Sequence, residues 1–229
     1  IGAMNVIDAA LDCSVEKVVA LSTDKASSPV NLYGATKLTS DKLFVAANSY
    51  RESHQQIFSV VRYGNVIGSR GSVIPLFLKQ KENNLLSVTH PEMTRFVISL
   101  DDAVGLVMKV LEKAFGGEIY VKKIPSVKIL DLAREIAPKS KIDFIGIRPG
   151  EKLHEQMIGE EDAYYTFEYP EHYKILPAIN EWATSPERIK DGTKVAETFT
   201  YRSDNNQEWM TADELIVWVH SNRNYIGKI

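Results

Sequence analysis

The spacing of apolar positions predicts a run of alternating elements from the first residues. Met4, Ile7, Ala10 and Leu11 recur at helical intervals, so residues 2–12 read as an amphipathic helix. Lys17-Val-Val-Ala-Leu-Ser22 is short and β-branched, the pattern of a fully buried parallel strand. Residues 24–31, with Ser27, Ser28 and Pro29, read as a loop. From Leu32 to about Asn48 the helical period returns, with Leu38, Leu43, Phe44 and Ala47 expected inward. Phe58-Ser-Val-Val-Arg62 predicts a second buried strand, and a Gly-containing stretch, Tyr63 to Gly71, follows it. Helix, strand, helix, strand argues for a parallel sheet with crossover helices.

Further along, Leu100-Asp-Asp-Ala opens a helix that runs through Val104, Leu106, Val107, Val110 and Leu111. Gly116-Gly117 stops it. A strand is expected at residues 118–122. Ser126 is placed as the cap of a helix through Ile129, Leu132, Ala133 and Ile136, closed by Pro138. Residues 141–147 look strand-like, and Arg148-Pro-Gly-Glu-Lys152 reads as a turn into a short helix. Residues 160–206 show weak periodicity, and Thr211-Ala-Asp-Glu214 is a capping box before Leu215 and Trp218.

Composition narrows the class. The 229 residues suffice for one sizeable core or two smaller ones. Hydrophobic content of 44% and charged content of 25% are ordinary for a globular protein. A net charge of -3 gives no electrostatic reason to expect nucleic acid or an anionic membrane. Cys13 is the only cysteine, which excludes an internal disulfide and a cysteine zinc cage. The five histidines have no metal spacing, and no metal is expected. No apolar run approaches the ~18 residues needed to span a bilayer. A cytoplasmic protein is the expectation.

The chemistry concentrates in Leu21-Ser-Thr-Asp-Lys-Ala26 and Tyr33-Gly-Ala-Thr-Lys37. Tyr33 and Lys37 lie four apart on a predicted helix and share a face, where an ammonium favours the tyrosinate form. Tyr33 is then a credible base for a sugar hydroxyl. Thr23 ends the buried strand, and ligands of open parallel sheets bind at such carboxyl ends. A lone Tyr-x-x-x-Lys is more often an exposed helix face, and Asp24-Lys25 alone would be a solvated pair. The ordered set of strand, Ser-Thr, loop and Tyr-x-x-x-Lys is far more specific.

That set resembles the active site of the extended short-chain dehydrogenase/reductases. Five segments then occur in order: Thr23-Asp-Lys-Ala, Asn31-Leu-Tyr-Gly-Ala-Thr-Lys-Leu, residues 61–75, Met93-Thr-Arg-Phe96, and residues 146–155. Together they look like the inverting UDP-N-acetylglucosamine 4,6-dehydratases of pseudaminic acid biosynthesis, and the tail at residues 201–210 is similar as well. The resemblance implies Thr23, Tyr33 and Lys37 as the Ser/Thr-Tyr-Lys triad. Asp24 and Lys25 become a second acid and base, standing where the retaining dehydratases carry Asp-Glu. It implies NADP as cofactor, with Leu21, Ser22, Tyr33, Lys37, Val66, Ile67, Gly68 and Ser69 near it. Asn65, Arg70, Arg148 and Glu151 are implied for a UDP-sugar, while Arg95 is weighed as structural. It also implies a homo-oligomer, with neither nucleic acid nor membrane as partner. The alternatives are an NDP-sugar epimerase or retaining dehydratase of the same fold, or a non-catalytic interaction module.

One expected part is missing. No Gly-x-Gly-x-x-Gly occurs in the chain, so roughly the first hundred residues of such a fold, with its pyrophosphate loop, are expected to be absent. The expected fold is α/β, a partial Rossmann-type parallel sheet with a smaller C-terminal α+β substrate lobe. Residues 1–122 would form the later part of the NAD(P)-binding domain, with 67–96 contributing to the substrate cleft. Residues 123–229 would form the substrate lobe and tail. The chain by itself is expected to bind NADP weakly and to be inactive.

Overall fold

A computed structural model describes residues 1–49, 56–69, 71–178 and 185–221. The chain opens with α1 (Gly2–Asp12), β1 (Lys17–Thr23), a 3-10 turn (Asp24–Ala26), α2 (Leu32–Ala47) and β2 (Ile57–Tyr63). Then come β3 (Asn65–Val66), α3 (Val73–Lys81), β4 (Leu85–Val88), β5 (Thr94–Ile98), α4 (Leu100–Lys113) and β6 (Ile119–Lys122). Next are β7 (Ser126–Lys128), α5 (Ile129–Ile136), β8 (Lys141–Phe144), β9 (Gln156–Ile158), α6 (Glu160–Ala163) and β10 (Thr166–Glu168). Last are β11 (His172–Ile175), α7 (Pro186–Ile189), β12 (Thr193–Lys194), β13 (Tyr201–Arg202) and α8 (Ala212–Ser221).

These elements divide into two compact units built from interleaved segments. Residues 1–63, 101–123 and 156–201 form the first, around a six-stranded sheet ordered β1-β2-β6-β11-β10-β12. The β1-β2 and β2-β6 pairs are parallel, and the remaining pairs are antiparallel. Register sets Thr23 beside Tyr63, so both lie at carboxyl ends of parallel strands. Successive strand residues face opposite sides. Val61 therefore packs with Leu106, Val110 and Tyr120 under α4, while Arg62 points to the other face and meets Asp41 of α2.

Buried charge locks the middle of this unit. Glu118 is fully buried and accepts hydrogen bonds from Ser59 Oγ, the Phe115 and Gly116 amides, and Arg188. Arg188, on α7, also donates to the Phe115 and Gly116 carbonyls. Its own carbonyl accepts from Lys174 Nζ of β11 at 2.9 Å.

The second unit holds residues 64–100, 124–155 and 202–229. Its sheets are small: β3-β5-β7, and a parallel β4-β8 pair. An aliphatic core including Ile74, Phe77, Leu86, Leu132 and Leu215 joins α3, α5 and α8 to them. The capping box forms: Thr211 N donates to Glu214 Oε2 at 2.8 Å, and Glu214 N donates to Thr211 Oγ1 at 3.3 Å.

Several expectations need correcting. β1 is an edge strand of the described sheet, not fully buried, and Leu21 is 54% exposed. Apolar composition specified a strand but could not specify that both its flanks would be covered. Ser126 lies in β7 rather than capping α5, because its backbone pairs with Phe96 and continues the sheet. No helix follows Lys152; the chain runs on to β9. The weakly periodic residues 160–206 hold β10, β11 and β12, strands too short to show alternation yet completing the main sheet.

Candidate active site

In the first unit, the turn after β1 and the start of α2 are held together locally. Thr23 Oγ1 donates to Asp24 Oδ1 at 2.8 Å, and Lys25 Nζ donates to the same oxygen at 3.0 Å. Asp24 is 1% exposed, and its second oxygen, Oδ2, is buried with no partner among the described residues. An unpaired buried carboxylate oxygen is costly, and a reacting group is one of the roles that account for such an atom. Asn31 caps α2, its Oδ1 accepting from Gly34 N at 2.9 Å. A Cβ at Gly34 would lie 2.5 Å from the Lys25 carbonyl oxygen, so only glycine lets the helix start rest on the turn at residues 24–26. Tyr33, beside that glycine, is 54% exposed, and Lys37 is half-buried one turn on.

Thus Thr23, Asp24 and Lys25 form one hydrogen-bonded chain, and close packing at Gly34 brings α2 with Tyr33 and Lys37 against it. Of the residues expected near a cofactor, Leu21 is exposed and Ser22 buried at the same strand end.

The second unit contains a cavity of about 400 Å³. Asn65, Val66, Ile67 and Gly68 contribute to its wall; Ser69 follows in the same turn but does not line it. Gly68 has φ +78, a left-handed conformation that a side chain would strain. Phe77, Met93, Val97, Val127 and Leu132 make the apolar wall, and Arg148 and Glu151 stand among its polar groups. Arg70 lies outside the described residues.

Arg95 also lines this cavity. Its Nη1 donates to the carbonyls of Thr94 (2.7 Å) and Leu153 (3.0 Å), and its guanidinium lies 3.5 Å from both Glu151 and Glu155. It is therefore a strut and a wall group at once. Gln80 and Thr89 are further polar liners that sequence reasoning missed. Nothing in their local pattern separates them from surface residues, whereas Arg95 sat in a motif. His154 has the packing and hydrogen-bonding role expected of it, its Nδ1 2.8 Å from Thr94 Oγ1.

Parallel pairing of β1, β2 and β6, with Ser-Thr at the end of β1 and Tyr-x-x-x-Lys on the helix that follows, is the arrangement of the short-chain dehydrogenase/reductase class, on a Rossmann-type fold. The family described as polysaccharide biosynthesis protein matches residues 1–177, and the chain belongs to it. A Campylobacter jejuni (strain 81-176) protein named UDP-N-acetylglucosamine 4,6-dehydratase (inverting) is 51% identical over 228 residues, covering 94% of this chain. A Rickettsia canadensis protein named UDP-glucose 4-epimerase is 40% identical over 212 residues, covering 90%. The chain spans 66% of the first relative's length and 62% of the second's. Among solved structures, Pen from Bacillus thuringiensis is 35% identical with TM-score 0.85, the match covering 97% of this chain and 68% of that one. A dTDP-glucose 4,6-dehydratase from Bacillus anthracis, in complex with NAD, is 18% identical with TM-score 0.56. That match covers 65% of this chain and 55% of the other, and it supports the fold alone.

Proposed function

We propose that the chain carries the acid–base centre of a C5-inverting UDP-N-acetylglucosamine 4,6-dehydratase, which yields a UDP-4-keto-6-deoxy-hexosamine. The observation that carries this reading is the Thr23–Asp24–Lys25 hydrogen-bonded chain with one buried carboxylate oxygen left open. An epimerase that removes and returns hydride at one carbon needs a single acid–base pair, and eliminating water across two carbons needs a second. The relative at 51% identity bears the dehydratase name, which adds support.

In this reading, Tyr33, assisted by Lys37, takes the proton from the sugar O4. Thr23 orients that same oxygen with its hydroxyl. The C4 ketone acidifies the C5 proton, which Lys25 removes after passing its own proton to Asp24 across their 3.0 Å contact. Asp24 gives a proton to the departing C6 hydroxyl, which leaves as water. Reprotonation at C5 on the opposite face sets the inverted configuration. For the nucleotide part of the substrate, Arg70 and Arg148 are the proposed forked donors to a diphosphate, Glu151 a ribose acceptor, and Asn65 a further polar contact.

For the nicotinamide end of a dinucleotide the proposed residues are Leu21 and Ser22 at the end of β1 and Tyr33 and Lys37 on α2; Leu21 and Tyr33 are exposed, as groups that meet a bound ring need to be. In the second unit, Val66 to Ser69 are assigned to the same group. No glycine-rich run for a pyrophosphate is present in the sequence. When bound, NADP would supply a reversible hydride acceptor, so that the reaction shows no net oxidation.

Full-length enzyme incubated with UDP-N-acetylglucosamine in heavy water tests the reading. A 4-keto-6-deoxy product carrying deuterium at C5 is expected, and Lys25→Ala should abolish it. A C4 epimer that keeps its 6-hydroxyl would overturn the assignment in favour of an epimerase.

A further inference from the structure

The first unit holds a cavity that no step of the proposed reaction uses. Its volume is about 620 Å³, within the range of small-molecule sites. The end of α4, the sheet face made by β6 and β11, the turn at residues 169–171 and the end of α7 line it. It shares no residue with the cavity of the second unit. Tyr120 and Lys174 stand directly opposite in the antiparallel β6–β11 register, so their side chains leave the same face of the sheet, and both line the cavity.

Lys174 is 7% exposed, and an ammonium at that depth is costly unless a carboxylate meets it. None does among the described residues. Its Nζ donates to the Arg188 carbonyl and lies 4.8 Å from the centre of the Tyr169 ring and 5.5 Å from that of Tyr120. The buried Glu118 carboxylate is taken up by Ser59, two backbone amides and Arg188. Tyr120 is 4% exposed, and its hydroxyl has no hydrogen-bond partner among the described residues. Burial and the charge of Glu118 push that phenol up, so it stands as an O–H donor. An ammonium with protons to spare and a neighbouring phenol O–H match the two oxygens of a carboxylate.

The remaining wall sets the body of the ligand. Tyr169 and His172 stack with ring centres 4.8 Å apart, and Phe115 adds a third ring beside Tyr120. Burial, helped by Lys109 and Lys174, pulls His172 down to about 4, so near neutral pH its ring is an uncharged surface. Such walls favour a planar aromatic group. The exposed charges of the rim are mixed, Lys113 and Lys190 with Glu112, Glu187 and Asp191, whereas the one buried charge in the lining is that of Lys174. A single buried cation suits a monoanion. A mechanical account makes Lys174 a strut that ties β11 to α7 through the Arg188 carbonyl. Tyr169 Oη already donates to that carbonyl at 3.2 Å, and a strut leaves the Tyr120 hydroxyl unexplained.

We propose that this cavity is a second binding site, which takes a small aromatic monocarboxylate. The carboxylate lies between Lys174 Nζ and Tyr120 Oη, and the ring lies among Phe115, Tyr169 and His172. The site is independent of the sugar-nucleotide reading above.

Titration of the full-length protein with benzoate tests the site, with benzamide and inorganic phosphate as comparison probes. Benzoate should bind at millimolar concentration or below, and benzamide, the same ring without the charge, at least about tenfold more weakly. Tyr120→Phe should weaken benzoate about tenfold. Lys174→Met, which keeps the length of the side chain and drops its charge, should weaken it about a hundredfold. Circular dichroism shows whether each variant folds, and if Lys174→Met does not, Tyr120→Phe alone decides. Benzamide binding as tightly as benzoate would leave only an apolar hole, and phosphate competing as well as benzoate would remove the need for a ring. Either result overturns the proposal. So does an affinity for benzoate unchanged by the substitutions, which would place the probe elsewhere, and so does a wild-type protein that binds no benzoate, which would leave the cavity to water.

Discussion

The two units solve different problems with different materials. In the first, charged side chains are driven inside and locked: Glu118 with Arg188, and Asp41 and Asp162 with Arg62. In the second, the interior is aliphatic, and charge gathers at the polar end of the cavity, where Arg95, Arg148 and Glu151 stand. Acid–base chemistry depends on groups held to a fraction of an ångström, which directional hydrogen bonds provide at the cost of desolvation. A binding cavity depends on shape and a few oriented polar groups, which aliphatic packing provides more cheaply. The contrast teaches that paired charge holds the interior of the first unit, while apolar packing holds that of the second.

The sharpest way to break that contrast is to open one of the locks. Glu118→Ala leaves Arg188 without its carboxylate and strands the Ser59 hydroxyl and two amides. A loss of about 3–5 kcal/mol is expected by urea unfolding. A cost below about 1 kcal/mol would show that the lock carries no weight. Gly34→Ala tests the junction of the catalytic turn and α2. The added carbon forces Lys25 and the helix start apart, so kcat of the full-length enzyme should drop about tenfold to a hundredfold. UDP binding, assigned to the second unit, should be unaffected when measured by calorimetry; parallel loss of both would blur the division of labour. The smallest effect belongs to the second unit. Thr211→Ala removes the capping box of α8 and should cost about 1 kcal/mol of stability in the same unfolding assay, with kcat unchanged.

Legibility in the sequence followed the same division. The stretch proposed as catalytic is legible as a cluster because its residues are close in the chain: Thr23, Asp24 and Lys25 are consecutive, and Tyr33 and Lys37 lie one helical turn apart. The cavity could be read only at its motif residues, Asn65 to Gly68, Arg148 and Glu151. Gln80 and Thr89 carry no local signature, and Arg95 was weighed as a strut when it is also a wall group. Asp41 was missed altogether as a buried position, because polarity on an apparent helix face argues for solvent until a partner such as Arg62 is seen. The short strands β10, β11 and β12 escaped for another reason: three or four residues give too few alternations to reveal a period of two.

What the sequence determined alone was local: which segments repeat with a helical or β-branched pattern, where a capping box sits, and which reactive side chains fall within a turn of one another. Backbone geometry converts such spacing directly into position. Only the tertiary structure decided that the late irregular segment completes the sheet and that Arg62 and Glu118 belong inside. Those outcomes depend on desolvation and on partners 21 to 100 residues away along the chain, and no local pattern encodes them.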